Sequence, residues 1–218
     1  MKRLILFLLL LPFISISQNI NKHDDNGKKT GIWFGEYPNG NLRYKGQFKN
    51  GNPQGLFFYY YESGELKVEK EFFHNGQAAS TYFFYKDGSL KTSGLYVGKL
   101  KDSTWNYYNR DSILILSEEY RKGKLNGTSQ NFYNDGTLHE IKHYKNGLLD
   151  GVWKQFFMDG SLKAEANYKD GLREGKKTYY YSNGKIYCTG FYRNDFKKGA
   201  WEYFNEQGLS DTIINHND

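Results

Sequence analysis

The 218-residue chain is poor in cysteine, proline and methionine, with one, three and two residues respectively. A single cysteine excludes a disulfide framework within the chain, a four-cysteine zinc site and a cysteine-ligated cluster. The longest apolar run, residues 4–11, contains eight residues. A membrane-spanning helix needs about 20 apolar residues, so this run is too short to cross a bilayer comfortably.

Glycine and aromatic residues are abundant instead. The chain has 24 Gly, 20 Tyr and 16 Phe, and 18% of its residues are aromatic. Its mean hydropathy is low, at −0.80, but disordered chains are poor in aromatic residues and this chain is rich in them. Many glycines and tyrosines with few prolines predict short strands joined by tight turns.

The N-terminus predicts export. Lys2 and Arg3 precede the apolar run, and Ser15-Ile16-Ser17 forms a small-residue cleavage pattern before Gln18, as in a secretory signal peptide over residues 1–17. We therefore expect a periplasmic, cell-surface or secreted protein. Removal of two cations lowers the formal net charge from +6 to +4. No basic cluster resembles a nucleic-acid footprint, so no nucleic-acid partner is expected.

The rest of the chain repeats with a period of 24 residues. Four columns follow this period: a small residue, a turn glycine, an aliphatic residue and an aromatic residue. The small column is Gly31, Gly55, Ala79, Ser103, Gly127, Gly151, Gly175 and Gly199. The aromatic column is Phe48, Phe72, Tyr96, Tyr120, Tyr144, Tyr168 and Tyr192. A fixed period of this length predicts a repeat architecture.

Each repeat reads as a β-hairpin. Asn39-Gly40, Asp135-Gly136 and Asn183-Gly184 predict two-residue type I′ turns, and Leu162 to Lys169 alternates between apolar and polar residues. We predict an all-β fold: an elongated array of about eight antiparallel hairpins over residues 27–209. A leader, residues 18–26, precedes the array, and a degenerate cap, residues 210–218, follows it. Trp33 opposite Gly46 and Trp153 opposite Ala166 are expected on the core face.

The motif resembles the MORN-repeat variant. It is clearest in residues 151–162 and in Gly199-Ala200-Trp201-Glu202-Tyr203-Phe204. The resemblance implies an elongated stack of hairpins that forms a twisted, trough-like sheet. Many bacterial proteins with this variant are grouped as YwqK-like antitoxins, so the resemblance also implies a toxin as a partner.

The sequence offers no catalytic, metal or cofactor site. His139 and His143 would lie about 13 Å apart on a strand, too far for one ion. Cys188 occupies a core-face column, where a free cysteine behaves as a small buried hydrophobe. We therefore expect a protein that is not an enzyme and has no cofactor. An envelope hydrolase is the least favoured alternative.

One aromatic column is expected to face away from the core, and lysines are expected opposite it. The aromatic members are Tyr60, Phe84, Tyr108, Phe132, Phe156, Tyr180 and Phe204, and the lysines are Lys67, Lys91 and Lys163. Such a stripe can bind a protein or stack on sugars. The alternative is that the lysine stems only cover the rings and no ligand binds.

We therefore expect a non-enzymatic binding or scaffold protein of the cell envelope, whose partner is another protein, such as a toxin. The alternative function is binding of envelope glycan (peptidoglycan) or anionic lipid headgroups through the aromatic and lysine side chains.

Overall fold

The computed structural model describes residues 20–216, and these residues form strands and turns without a helix. The predicted signal peptide, residues 1–17, lies outside the described residues. The strands are β1 (Lys22–His23), β2 (Lys29–Glu36), β3 (Leu42–Lys49), β4 (Asn52–Tyr60), β5 (Leu66–Phe73), β6 (Ala78–Phe84), β7 (Leu90–Val97), β8 (Leu100–Tyr108), β9 (Leu114–Arg121), β10 (Lys124–Phe132), β11 (Leu138–Lys145), β12 (Leu148–Leu149), β13 (Gly151–Phe156), β14 (Leu162–Lys169), β15 (Leu172–Tyr180), β16 (Ile186–Arg193), β17 (Phe196–Phe204) and β18 (Ser210–His216).

Each strand except β12 pairs antiparallel with the next strand along the chain, which produces one open meander. The short β12 and the following β13 both pair with β11, so together they act as one interrupted strand. The predicted all-β array of eight hairpins is confirmed: the first hairpin is β2–β3 and the eighth is β17–β18.

The two ends of the array add strands outside the 24-residue columns. In the predicted leader, Ile20 forms a bridge with Ile32, and β1 pairs with Lys29 and Thr30 of β2. In the predicted cap, residues 210–216 form β18, which completes the eighth hairpin. Both ends of the sheet are therefore formed by residues that the repeat pattern itself does not describe.

The turns within hairpins differ from the predicted type. At Asn39-Gly40 only Gly40 has a positive φ, +85°, and its N–H donates to the Tyr37 carbonyl. This is a type I turn followed by a left-handed glycine, not a two-residue type I′ turn. Ser112 takes the glycine position in the fourth hairpin with φ +60°. The predicted type is found between hairpins instead, as at Asn50-Gly51, where φ is +53° and +82°.

The core lies on one face of the single sheet, which we call the inner face and which carries Trp33, Phe57, Trp105, Trp153 and Trp201. Phe57, Trp105 and Trp201 are only 1–2% exposed. The register pairs Trp33 with Gly46 and Trp153 with Ala166, as predicted.

The deepest packing, however, occurs between neighbouring hairpins. A Cβ on Gly46, Gly94 or Gly190 would lie 2.2, 2.2 or 2.4 Å from the ring of Phe57, Trp105 or Trp201, respectively. Each of these rings belongs to the strand after its glycine, which is the first strand of the next hairpin. Gly46 is thus covered by Phe57 rather than by the predicted Trp33.

This packing occurs at the second, fourth and eighth hairpins. In the sixth hairpin the ring is Trp153, but Lys142 occupies the position of the glycine. The equivalent core positions in the third, fifth and seventh hairpins are polar: Thr81, Ser129 and Lys177, all buried. From the second hairpin onward, the core position therefore alternates between an aromatic ring and a polar side chain.

Candidate binding face

The predicted aromatic residues lie on the face opposite the tryptophans, which we call the outer face. Tyr59 pairs with the inner-face residues Tyr44 and Val68, so the next residue, Tyr60, alternates to the outer face. The same alternation applies to the whole set, which we call the outer aromatic column: Tyr60, Phe84, Tyr108, Phe132, Phe156, Tyr180 and Phe204. All seven side chains are half-buried.

A second row of aromatic residues fixes the backbone of this column. Tyr37 Oη donates to the carbonyl of Tyr60 at 2.8 Å, and Tyr61 Oη donates to that of Phe84 at 2.9 Å. The same bond recurs from Tyr85 to Tyr108, Tyr133 to Phe156 and Tyr181 to Phe204. We call Tyr37, Tyr61, Tyr85, Tyr133 and Tyr181 the tyrosine ladder. Each bond joins one hairpin to the next, so the ladder sets the spacing of the outer aromatic column.

The predicted lysine partners are wrong. Tyr60, Phe84 and Phe156 pair with Leu66, Leu90 and Leu162. The register shifts before each of these pairs, because a β-bulge follows the type I turn.

The three lysines lie over the neighbouring aromatic position instead. Lys67 Nζ is 5.4 Å from the Tyr61 ring centroid, Lys91 Nζ is 5.4 Å from that of Tyr85, and Lys163 Nζ is 5.5 Å from that of Phe157. Tyr61 and Tyr85 belong to the tyrosine ladder. The aromatic and lysine side chains that the sequence placed in one stripe thus form two separate rows.

The outer face has a groove of about 290 Å³ at its N-terminal end, lined by Ile32, Lys45, Leu56, Phe58 and Tyr60, among others. Nearer the C-terminal end, a polar pair lies on the same face. Tyr180 Oη donates to Glu165 at 2.8 Å, and its pKa is raised by burial and by this bond to a carboxylate.

The inner face holds cations over aromatic rings. Lys177 Nζ lies 4.8, 4.7 and 6.0 Å from the ring centroids of Trp153, Tyr179 and Tyr192. Burial lowers the pKa of Lys177. Lys101 lies in the same way over Trp105, at 4.6 Å, and its pKa is also lowered by burial. These ammonium groups fill space between rings, since cation–π contact offsets part of their desolvation.

The fifth hairpin interrupts the aromatic core with a polar network centred on Glu140. Its carboxylate accepts hydrogen bonds from Trp153 Nε1 at 2.7 Å and Asn131 Nδ2 at 3.0 Å, and pairs with Lys142 Nζ at 2.6 Å. Burial alone would raise the pKa of Glu140, but the bonds from Lys142, Trp153 and Asn131 outweigh it and lower the pKa. Every polar group of this network has a partner within it, so the network is structural.

A neighbouring tyrosine pair extends the polar region. Tyr120 Oη donates to Glu118 at 2.8 Å, and burial together with this bond raises the pKa of Tyr120 to about 12. Lys101 donates to Tyr107 Oη, and burial raises the Tyr107 pKa further. These hydroxyls stay protonated at neutral pH, so they are not poised as bases.

The remaining reactive side chains are either buried or next to a polar group of the protein. Cys188 is buried as predicted, and burial raises the pKa of its thiol, which disfavours the reactive thiolate. His139 Nε2 lies 3.2 Å from Gln155 Nε2, and His143 Nδ1 lies 2.7 Å from the Val152 carbonyl oxygen. Within residues 20–216, no three His, Cys, Asp or Glu side chains are grouped so that they could hold a metal ion.

In the described part of the chain, no helix is long and apolar enough to cross a membrane.

Sequence reasoning missed the tyrosine ladder and the Glu140 network. The ladder was visible as a 24-residue column, since Tyr37, Tyr61 and Tyr85 follow the same period. The Glu140 network could have been found as an exception to the repeat, because Glu140 occupies a 24-residue column that otherwise holds residues such as Val68, Leu116 and Ala164.

Comparison with known proteins identifies the repeat. A search of curated proteins finds no match. A chain in the crystal structure of TcdB2-TccC3-Cdc42 aligns at 13% identity and a TM-score of 0.21. The alignment covers 88% of this chain but 13% of that chain, and a TM-score this low carries no argument. The MORN repeat variant matches residues 29–50, 53–75, 125–146, 149–170 and 173–194, just over half of the chain. The chain therefore belongs to the MORN repeat variant family.

Proposed function

We propose that this protein is a non-enzymatic scaffold that binds another protein through its outer aromatic column. The observation that carries the proposal is the column itself: seven half-buried aromatic side chains on one face, one in each of seven successive hairpins. Partly exposed aromatic rings on rigid strands are typical anchors of protein interfaces. They offer a large contact area at a small cost in conformational entropy.

The N-terminal groove is the expected centre of this interface. Leu56, one of its lining residues, is exposed, and Phe58 and Tyr60 in the same lining are half-buried. Lys45 lies at the same groove and would favour an acidic group on the partner. A partner that covers the groove would bury these apolar side chains, which favours association.

The finer proposal concerns place and partner. Lys2, Arg3 and the apolar residues 4–11 support export. Membership of the MORN repeat variant family supports a repeat scaffold. The resemblance to YwqK-like antitoxins then suggests an immunity-type role, in which the partner is a toxin that arrives at the envelope.

A second candidate function is binding of an anionic envelope glycan or lipid headgroup. It is favoured by Lys67, Lys91 and Lys163, which are exposed while their ammonium groups lie over aromatic rings. An anionic ligand could contact these cations and the rings together.

Affinity purification from native envelope tests both candidates. We expect one protein to co-purify with the wild-type chain and to be lost with the double variant F58A/Y60A. The matched control is Phe196→Ala, because Phe196 is a highly exposed aromatic residue outside the column. Unchanged recovery with F58A/Y60A, in a variant that still unfolds cooperatively, would exclude the N-terminal groove as the centre of the interface.

Salt separates the two candidates. A protein held by apolar contacts should remain bound at high ionic strength, whereas an anionic polymer should be released because exposed charges are screened. Loss of binding in the triple variant K67A/K91A/K163A, with F58A/Y60A unaffected, would favour the anionic ligand.

A further inference from the structure

The C-terminal edge of the sheet has an open strand. Within residues 20–216, β18 pairs with β17 and with no other strand. Its seven residues, Ser210–His216, contain neither lysine nor proline, and their one acidic residue, Asp211, lies near the turn. Ile213 and Ile214 are 58% and 44% exposed. Proteins usually protect such an edge with charge, proline or a very short strand. The opposite edge has that protection, since β1 has two residues and one is Lys22.

The backbone of β18 is ready to pair on its open side. Asn205 N–H donates to the Leu209 carbonyl across the last turn. Along an antiparallel strand, the N–H and C=O groups of successive residues point alternately to the two sides of the strand. Those of Tyr203 and Trp201 therefore point to β18, as the N–H of Asn205 does. Their partners are Thr212 and Ile214, which therefore point back at β17. Ile213 and Asn215 then direct their N–H and C=O groups to the open edge.

Grooves lie beside β18 on both faces. On the inner face, Tyr187, Tyr203 and Ile214 line a groove of about 360 Å³ together with polar residues such as Asp211. On the outer face, Phe191, Ala200 and Ile213 line one of about 280 Å³ together with charged residues such as Glu202. A strand added to β18 would extend both faces of the sheet at once, since alternate residues point to opposite faces.

We propose that β18 pairs antiparallel with β18 of a second copy of this chain, about a two-fold axis at Ile214. This register places Ile214 of each copy together and Ile213 opposite Asn215. It also places Thr212 opposite His216, whose Nε2 is buried without a hydrogen-bond partner among the described residues. The Thr212 hydroxyl of the second copy can supply that partner once the His216 ring turns to bring Nε2 to the open edge. No like charges face each other, so the strand is complementary to itself.

The partner is a second copy because a two-fold axis satisfies both edges at the same time. Residues 212–216 of one copy pair with residues 216–212 of the other, so neither copy keeps an unpaired edge at β18. The two arrays then continue as one sheet with the inner faces on the same side. This inference does not depend on the outer aromatic column.

Proline at the edge provides the sharpest test. Ile213→Pro removes an N–H that points away from β17, so the fold should persist while pairing between copies is lost. We expect the chain from Gln18 onward to sediment as a dimer, and the Ile213→Pro variant to sediment as a monomer with an unchanged far-ultraviolet spectrum. The matched control is Val152→Pro, a change in the internal strand β13. It should lower thermal stability, but the folded fraction should still sediment as a dimer.

Cross-linking tests the register. Ile214→Cys places two thiols at the two-fold axis, within the distance range of a disulfide, and should yield a covalent dimer under oxidation. Ile213→Cys should not, because its neighbour across the axis is Asn215. Monomeric wild-type protein at all concentrations, a dimer that survives Ile213→Pro, or growth into filaments through β1 would each overturn the proposal. So would a dimer that cross-links through Ile213→Cys alone.

Discussion

At the scale of single residues, Glu140 shows how a repeat position can exchange an apolar side chain for a charged one. Its neighbours in the column, such as Val68 and Ala164, are buried. A carboxylate at such a position is tolerated only when hydrogen bonds replace the water that it loses. Trp153, Asn131 and Lys142 provide three, and their combined effect on the pKa exceeds that of burial.

Replacing this carboxylate should lower stability in a pH-dependent way. Glu140→Gln keeps the shape but removes the charge-assisted bond to Lys142, so we expect the free energy of unfolding to fall by about 1–3 kcal/mol at neutral pH. The folded-state pKa of Glu140 is lower than the ordinary value of 4.5, so the ionised group stabilises the fold fully above that value. The stabilisation is lost as pH falls through the lowered pKa. Chemical denaturation of both proteins across this range measures the difference.

The control for this substitution is Glu71→Gln, a change at an exposed position on β5. It should change the unfolding free energy by less than about 0.5 kcal/mol, as is usual for surface substitutions. A difference between Glu140→Gln and wild type that stays constant from neutral to acidic pH would contradict the role given to the carboxylate.

At the scale of elements, the array is held together by contacts between hairpins as much as within them. Glycine on the second strand of one hairpin leaves space for the ring on the first strand of the next, as in Gly94 and Trp105. The indole N–H then donates to the carbonyl of Leu95, at 3.1 Å, and Trp201 donates to Phe191 in the same way, at 3.2 Å. The ladder tyrosines add a second tie between the same hairpins.

Gly94→Ala should therefore destabilise the protein. The added Cβ would lie 2.2 Å from the Trp105 ring, and overpacking of this kind costs about 1–3 kcal/mol. Thermal unfolding should show a lower midpoint for Gly94→Ala and little change for Ser93→Ala, which is on the outer face. Combining Gly94→Ala with Trp105→Leu should cost less than the sum of the two single changes, because the smaller side chain leaves room. Strict additivity would show that the glycine is not needed for the ring.

How far the sequence predicts these elements depends on the residue types involved. The 24-residue columns predicted every hairpin, since turn glycines and alternating strands repeat with one period. They did not predict the turn type, because Asn-Gly suits both a type I′ turn and a type I turn with a left-handed glycine. That one difference shifts the register near each turn, so Lys67 lies over Tyr61 rather than opposite Tyr60. The outer aromatic column was predictable because side-chain alternation survives the shift.

At the scale of the whole molecule, the chain is quasi-one-dimensional. Within residues 20–216, each strand pairs only with its neighbours in the chain, apart from the interrupted strand at β12 and β13. The stability of such an array is approximately a sum over repeats and over the interfaces between them. The interfaces differ along the array: an aromatic ring lies over glycine at Gly190 and Trp201, a cation lies among rings at Lys177, and Glu140 forms a polar network.

Truncation from the C-terminus should reveal this difference. Ending the chain after β16 removes the interface that buries Trp201 and Tyr192, whereas ending it after β14 also removes the interface around Lys177. We expect two successive losses in unfolding free energy, with the first larger than the second, because the first interface contains the buried cluster of Cys188, Tyr192 and Trp201 whereas the second is centred on a buried lysine. Urea denaturation measures both losses, and its slope should fall with each hairpin removed, since it scales with the surface exposed on unfolding. Complete unfolding on removal of the eighth hairpin alone would contradict the additive picture, because it would require the whole array to depend on one interface.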